Sequence, residues 1–239
     1  MNIKTKKKQK RNKIKIFVIN LDKDKNRWKK YERNKRYIRF SATLGSKLLK
    51  NNKYLKKIIM MWNVSDKQKR NVVGCLLSHL RLMKHIIKEK LNNVLVIEDD
   101  ALVDFKKLDK LNLNKIPKDK MIYFGGIIRS LTLNDKSWSY ENIIKDLKKG
   151  INKIDSSKFK IGATHGYFFP KWEVAKKIYN YINKKKRIRA IDGEFAIIQK
   201  KNPELLDSFI YPAISYLKLD EALDGFSSQY GIPRDMKYY

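Results

Sequence analysis

Apolar positions recur along this chain in two periods. KIFVIN, residues 15–20, is a short, mostly apolar run and predicts a buried strand. An amphipathic helical stretch follows to about Tyr37, and 38–42 reads as a second short strand. Gly45 breaks the chain ahead of a lysine-rich stretch predicted helical to about Trp62. The clearest helix is 72–90, VVGCLLSHLRLMKHIIKEK. At about 100° per residue, Leu76, Leu80, Met83 and Ile87 share one face, while Ser78, Arg81, His85 and Lys88 lie away from it. Asn92 and Asn93 end it, and 94–97 follows as an apolar strand running into Glu98, Asp99 and Asp100.

Residues 121–124 form another apolar run, closed by Gly125 and Gly126. The weakly patterned stretch 130–158 reads as a mobile loop. Beyond it, 163–169 is strand-like, 172–183 and 192–200 are helical, and 209–217 is a last strand. The tail DGFSSQYGIPRDMKYY has no regular period. Strands alternating with helices predict an α/β fold with a mostly parallel central sheet flanked by helices. In open sheets of that class, ligands bind at the carboxyl ends of the strands, where the acidic triplet falls. With no internal repeat or linker, 14–239 reads as one domain behind a disordered basic tail, 1–13.

Charge is the compositional anomaly. Lys and Arg number 56 against 24 Asp and Glu, formally +32, a field that attracts polyanions. Lysine outnumbers arginine 45 to 11, however, a bias that fits AT-rich coding of solvated positions better than nucleic-acid readout, which leans on arginine forks. Specific nucleic-acid binding is therefore not expected. One cysteine, Cys75, excludes an intramolecular disulfide framework and a Cys-rich zinc site. No signal-peptide core or membrane-length apolar run is present, so a soluble intracellular protein, cytoplasmic or similar, is expected.

Glu98, Asp99 and Asp100 are the strongest chemical signal. Three consecutive carboxylates repel one another, and Mg²⁺ or Mn²⁺ with oxygen ligands would relieve that cost; an acidic turn starting a helix is the alternative. His79 lies on the apolar face of its helix, as a core histidine or a ligand. Ser78 beside it either donates to a phosphate or supports the turn. Gly74 and Cys75 precede the apolar stripe of the predicted helix, at its start, where free N–H groups favour phosphate; Cys75 itself reads as a buried structural thiol and His85 as solvent-facing. Asp192 and Glu194, in IRAIDGEF, suit a general base at a helix start or equally a helix cap. His165, in GATHGYFF, is a ligand or a packed histidine. Walker, GxGxxG, HExxH and GxSxG motifs are absent.

Taken in order, KIFVINLDKDKNRW, RFSATLG, GCLLSH, VLVIEDDA, GATHGYFFPKWEVAK and IRAIDGEF resemble glycosyltransferase family 25, the lipooligosaccharide and collagen galactosyltransferases, over about residues 14–230. One departure is that Ala190-Ile191 stands where the family usually has a proline before its Asp. The resemblance implies a GT-A-like fold and an inverting transferase. It would use Mn²⁺ or Mg²⁺ to move galactose or glucose from a UDP-sugar to a hydroxyl of a glycan or protein acceptor, lipooligosaccharide or collagen-like. It implies donor contacts from Asn20, Leu21, Arg27, Ala42, Thr43, Gly74, Ser78, His79, Glu98, Asp99 and His165. Metal ligation falls to Asp100 and Glu98, and the base to Asp192 or Glu194. The rival expectations are a basic polyanion-binding protein and a family-25 fold that binds sugar nucleotide without turnover.

Overall fold

Strand β1, Lys15–Asn20, alternates its side chains between two apolar layers. Ile16 and Val18 pack on one side of the sheet, Phe17 and Ile19 on the other. The same division holds in β3, Val94–Glu98, with Leu95 and Ile97 opposite Val94 and Val96. Burial on both faces is why these runs read as continuously apolar. In this computed structural model, which describes residues 13–60, 63–131 and 147–217, the result is three layers, helices on both sides of a central sheet.

The sheet also contains β2, Tyr37–Ser41; β5, Ile122–Ser130; β6, Gly150–Lys153; β7, Phe159–Phe169; and β8, Ser208–Tyr211. Its order is β2-β1-β3-β7-β5-β8-β6. β1 is parallel to β2 and β3, and β5 is parallel to β8. Both β3 and β5 run antiparallel to β7, so they point the same way, and only β7 and β6 are reversed. This mixed, mostly parallel α/β sheet is the expected architecture and is consistent with a GT-A-like fold. A ribbon of β4, Ala101–Val103, and β9, Ser215–Leu217, lies across the sheet. It can lie there because two glycines leave room. A Cβ on Gly166 would stand 1.6 Å from Ser215 Oγ, and one on Gly125 2.1 Å from the Ser215 carbonyl oxygen.

Helix α1 is Lys25–Glu32, α2 Lys53–Lys57, α3 Asp66–Lys88 and α4 Phe105–Asp109; α5 is Trp172–Lys184, α6 Ile191–Lys201 and α7 Pro203–Leu206. α3 carries the most buried side chains of its layer, including Leu76, Leu80, Leu82, Met83 and Ile86. It begins at Asp66, six residues before the predicted start. Ser65 Oγ accepts from the Gln68 N–H and Gln68 Oε1 from the Ser65 N–H, a reciprocal cap on a polar first turn.

Other expectations need correction. The first helix stops at Glu32, and Tyr37 already belongs to β2. The lysine-rich stretch forms only a 3₁₀ turn, Gly45–Lys47, and the short α2, after which Ile58 bridges to Ile188; Trp62 lies outside the described residues. β5 passes through Gly125 and Gly126 rather than ending there. Within 130–158 lies β6, paired to β8, while 132–146 lies outside the described residues, as do 1–12 and 218–239. The predicted last strand is two, β8 in the sheet and β9 in the ribbon.

Candidate active site

β1, β2 and β3 point their carboxyl ends the same way, which gathers Asn20, the 42–45 turn and the acidic triplet at one edge of the sheet. Antiparallel β7 passes this edge in its middle, with Tyr167 opposite Val96, and so brings Thr164 and His165 beside Glu98. α3 adds Gly74, Cys75, Ser78 and His79, and the first turn of α6 adds Asp192 and Glu194.

The three consecutive carboxylates have three different environments. Asp99, 9% exposed, accepts from Asn20 Nδ2 at 2.7 Å and Arg27 Nη1 at 2.9 Å. Asn20 in turn accepts from Arg39 Nε at 2.9 Å, and the other arm of Arg39 donates to the Leu21 carbonyl at 3.2 Å. Asp99 is thus neutralised inside a network. Glu98 accepts from Thr164 Oγ1, and its Oε1 lies 3.4 Å from His79 Nε2. Burial works to raise the Glu98 carboxyl, but His79 and Thr164 outweigh it and hold it below the usual range. Asp100 has no such partner at its buried Oδ1. Burial, then the charges of Glu98 and Asp99, push its carboxyl up to about 7, against the pull of Arg27.

His79 is fully buried, with Nδ1 2.7 Å from the Tyr167 hydroxyl. Its Nε2 makes no aligned hydrogen bond; the Glu98 contact is ionic at most. His165, also buried, leaves Nδ1 unpartnered, and burial drives it down to about 4, so it is neutral near pH 7. Thr164 and Tyr167 were missed as site residues, although both stand in the GATHGYFF segment that drew attention to His165.

Four predicted donor residues build a support under this edge of the sheet. Gly74 lies within the third turn of α3, not at a helix start. A Cβ there would stand 2.8 Å from the Thr43 carbonyl oxygen and 2.9 Å from the Gly45 amide, so glycine lets the helix meet the 42–45 turn. Ser78, 1% exposed rather than turned away, accepts from the Thr43 N–H at 2.8 Å and donates to the Gly74 carbonyl at 2.7 Å. Ala42 donates its N–H to the Asn20 carbonyl at 2.9 Å. Arg81, not singled out from the sequence, donates to Thr43 Oγ1 at 3.0 Å.

Two other expectations fail here. Cys75 is exposed, not a buried thiol, although protein and acidic side chains surround its position. His85 is half-buried, edge-on to Phe17 with ring centres 5.7 Å apart.

At α6 the two acidic residues separate. Glu194 is fully buried, with Oε2 2.5 Å from Lys185 Nζ and Oε1 accepting from the Arg189 N–H at 2.7 Å. Asp192 is exposed and bonds only its neighbour, accepting from the Gly193 N–H at 2.8 Å. Its charge acts on Cys75 together with those of Glu98, Asp100 and Asp99, so both acidic segments lie near this residue.

The sequence profile of glycosyltransferase family 25 (LPS biosynthesis protein) matches residues 13–193 of the 239. The chain belongs to glycosyltransferase family 25. No curated protein gives a match. Membership makes this a glycosyltransferase, with a sugar donor and a glycan acceptor as its substrates. The match begins two residues before β1 and ends in the first turn of α6, so it spans the acidic triplet and Asp192 and stops one residue short of Glu194. No helix among the described residues is long and apolar enough to cross a membrane.

Proposed function

We propose that this family-25 protein is an inverting, metal-dependent transferase. It moves galactose or glucose from a UDP-sugar to a hydroxyl of a glycan or protein acceptor. The observation that carries the reading is Asp100: a buried carboxylate oxygen without a partner, beside two other acids, at the ligand-binding edge of the sheet. Such a donor set suits a hard divalent ion. Asp100, with Glu98 beside it, would hold Mn²⁺ or Mg²⁺, which when bound supplies positive charge to a leaving diphosphate. Asn20, Arg27 and Asp99 fix the end of β1 against the acidic turn. Ser78 acts through the 42–45 turn and His79 through Glu98; both are enclosed, and we read them as positioning residues.

Inversion needs one base opposite the leaving group. Both Glu194 oxygens are engaged and the side chain is enclosed, which leaves Asp192, exposed and, like the triplet, near enough to Cys75 for its charge to act there. Asp192 takes the acceptor hydroxyl's proton as that oxygen bonds the sugar's anomeric carbon and the diphosphate departs. The +32 charge of the chain suits an anionic acceptor such as a phosphorylated or acidic glycan. The test is Asp192→Asn, assayed for UDP binding with Mn²⁺ and for sugar transfer. Transfer should fall at least about 100-fold, the scale of a lost general base, with UDP affinity unchanged. Full transfer by this variant would refute the assignment.

A further inference from the structure

Cys75, exposed and near both acidic segments, has no role in the transfer proposed for this protein. Cys75 and His79 stand four residues apart on α3, and that spacing puts two side chains on one helix face. A Cys75 sulfur, a His79 nitrogen and a Glu98 oxygen all lie within 4.8 Å of one another. His79 Nε2 is fully buried, has no hydrogen-bond partner and faces Glu98 Oε1 at 3.4 Å. An imidazole lone pair and a carboxylate oxygen so placed repel unless a proton or a cation lies between them.

We infer that Cys75, His79 and Glu98 form a binding site for a thiophilic divalent cation of the Zn²⁺ class. Thiolate, imidazole and carboxylate are the three donor types that Zn²⁺ takes, whereas Mg²⁺ and Mn²⁺ favour oxygen alone. Ligand atoms on a tetrahedral Zn²⁺ are about 3.5 Å apart, given bond lengths near 2.0–2.3 Å. Rotation of the exposed Cys75 side chain closes the remaining gap. Tyr167 supplies the outer contact that such a histidine needs: its hydroxyl lies 2.7 Å from Nδ1, and the tautomer that donates from Nδ1 leaves Nε2 free to ligate. Binding releases the thiol proton to solvent as the sulfur–metal bond forms. Three protein ligands with one exposed side leave the fourth position to water or a substrate oxygen. The site shares Glu98 with the hard-cation position at Asp100 but differs from it in donor chemistry.

The experiment uses the metal-stripped full chain with no nucleotide present, so its outcome is separate from that of sugar transfer. Co²⁺ titration should give one-to-one binding with a thiolate-to-metal charge-transfer band in the near ultraviolet, and Zn²⁺ should displace it. Cys75→Ser should lose the band and bind Zn²⁺ at least tenfold more weakly, while Asp100→Asn keeps the band. In the unmutated chain, Zn²⁺ should slow alkylation of Cys75 by iodoacetamide and EDTA should restore it, a readout that needs no variant to fold. A Co²⁺ complex without the band overturns the site, as does unchanged Zn²⁺ affinity in Cys75→Ser or loss of the band in Asp100→Asn. Alkylation indifferent to Zn²⁺ overturns it as well.

Discussion

The acidic segments 98–100 and 192–194 each divide their carboxylates between structural acids and one free acid, but in opposite surroundings. In the first, a network reaching Asn20, Arg27, Arg39, His79 and Thr164 satisfies two acids and leaves Asp100 with a bare buried oxygen. In the second, Glu194 is locked inside by Lys185 and Arg189, and Asp192 stands in solvent with a single local bond. Each segment thus spends its structural acids on holding the backbone and leaves one acid uncompensated. In the triplet that acid keeps its free oxygen buried, which suits a cation. In the other it is exposed, which suits a mobile acceptor.

The contrast is tested most strongly at Lys185. Lys185→Met strands the Glu194 carboxylate in the interior, and breaking such a pair from one side should cost about 3 kcal/mol in urea denaturation. A loss below about 1 kcal/mol would mean that Glu194 is not committed to structure and is again a candidate base. Next is Asp99→Asn, which weakens bonds from Asn20 and Arg27. It should cost about 2 kcal/mol, the scale of hydrogen bonds to a charged group, and show in the same assay.

Asp100→Asn should act in the other direction. An unfolded Asp titrates near about 4, while Asp100 in the fold is held up to about 7. Between those values the folded, metal-free protein binds the extra proton, so stability falls as pH rises through the window and levels off above it. In EDTA, the melting temperature of Asp100→Asn should therefore gain on wild type from pH 4 to pH 7. A constant difference across that range would show that Asp100 is already ionised without a cation. The smallest effect is that of Asp192→Asn on stability, expected within about 0.5 kcal/mol because the side chain is exposed.

The sheet was legible because β1 and β3 are apolar on both faces, and α3 because its buried side chains recur at helical spacing. The start of α3 was not, since its first turn is polar and is held by the Ser65–Gln68 cap instead of by burial. The run through Gly125 and Gly126 read as an end because glycine usually breaks a strand; here Gly125 makes room for Ser215, 90 residues away. At the site, residue types were legible and their partners were not. Nothing in EDD says which acid meets Arg27, 72 residues distant, and nothing in DGE says that Glu194 turns inward to Lys185. Ser78 and His79 stood out from the sequence, but their work is to hold Thr43 and Glu98, contacts made only when the chain closes on itself.

The β4–β9 ribbon has a consequence for how this protein is cut and recombined. β4 begins at the residue after Asp100, and its partner strand is Ser215–Leu217, which lies beyond the stretch that matches the family. Homology and foldable unit therefore have different edges. A chimera or fragment bounded by the matched stretch would keep the acidic triplet and Asp192 but drop Glu194 and the strand that pairs with the backbone leaving Asp100. Engineering of this scaffold should keep the chain at least through Leu217, treating 194–217 as part of the catalytic module rather than as a replaceable extension.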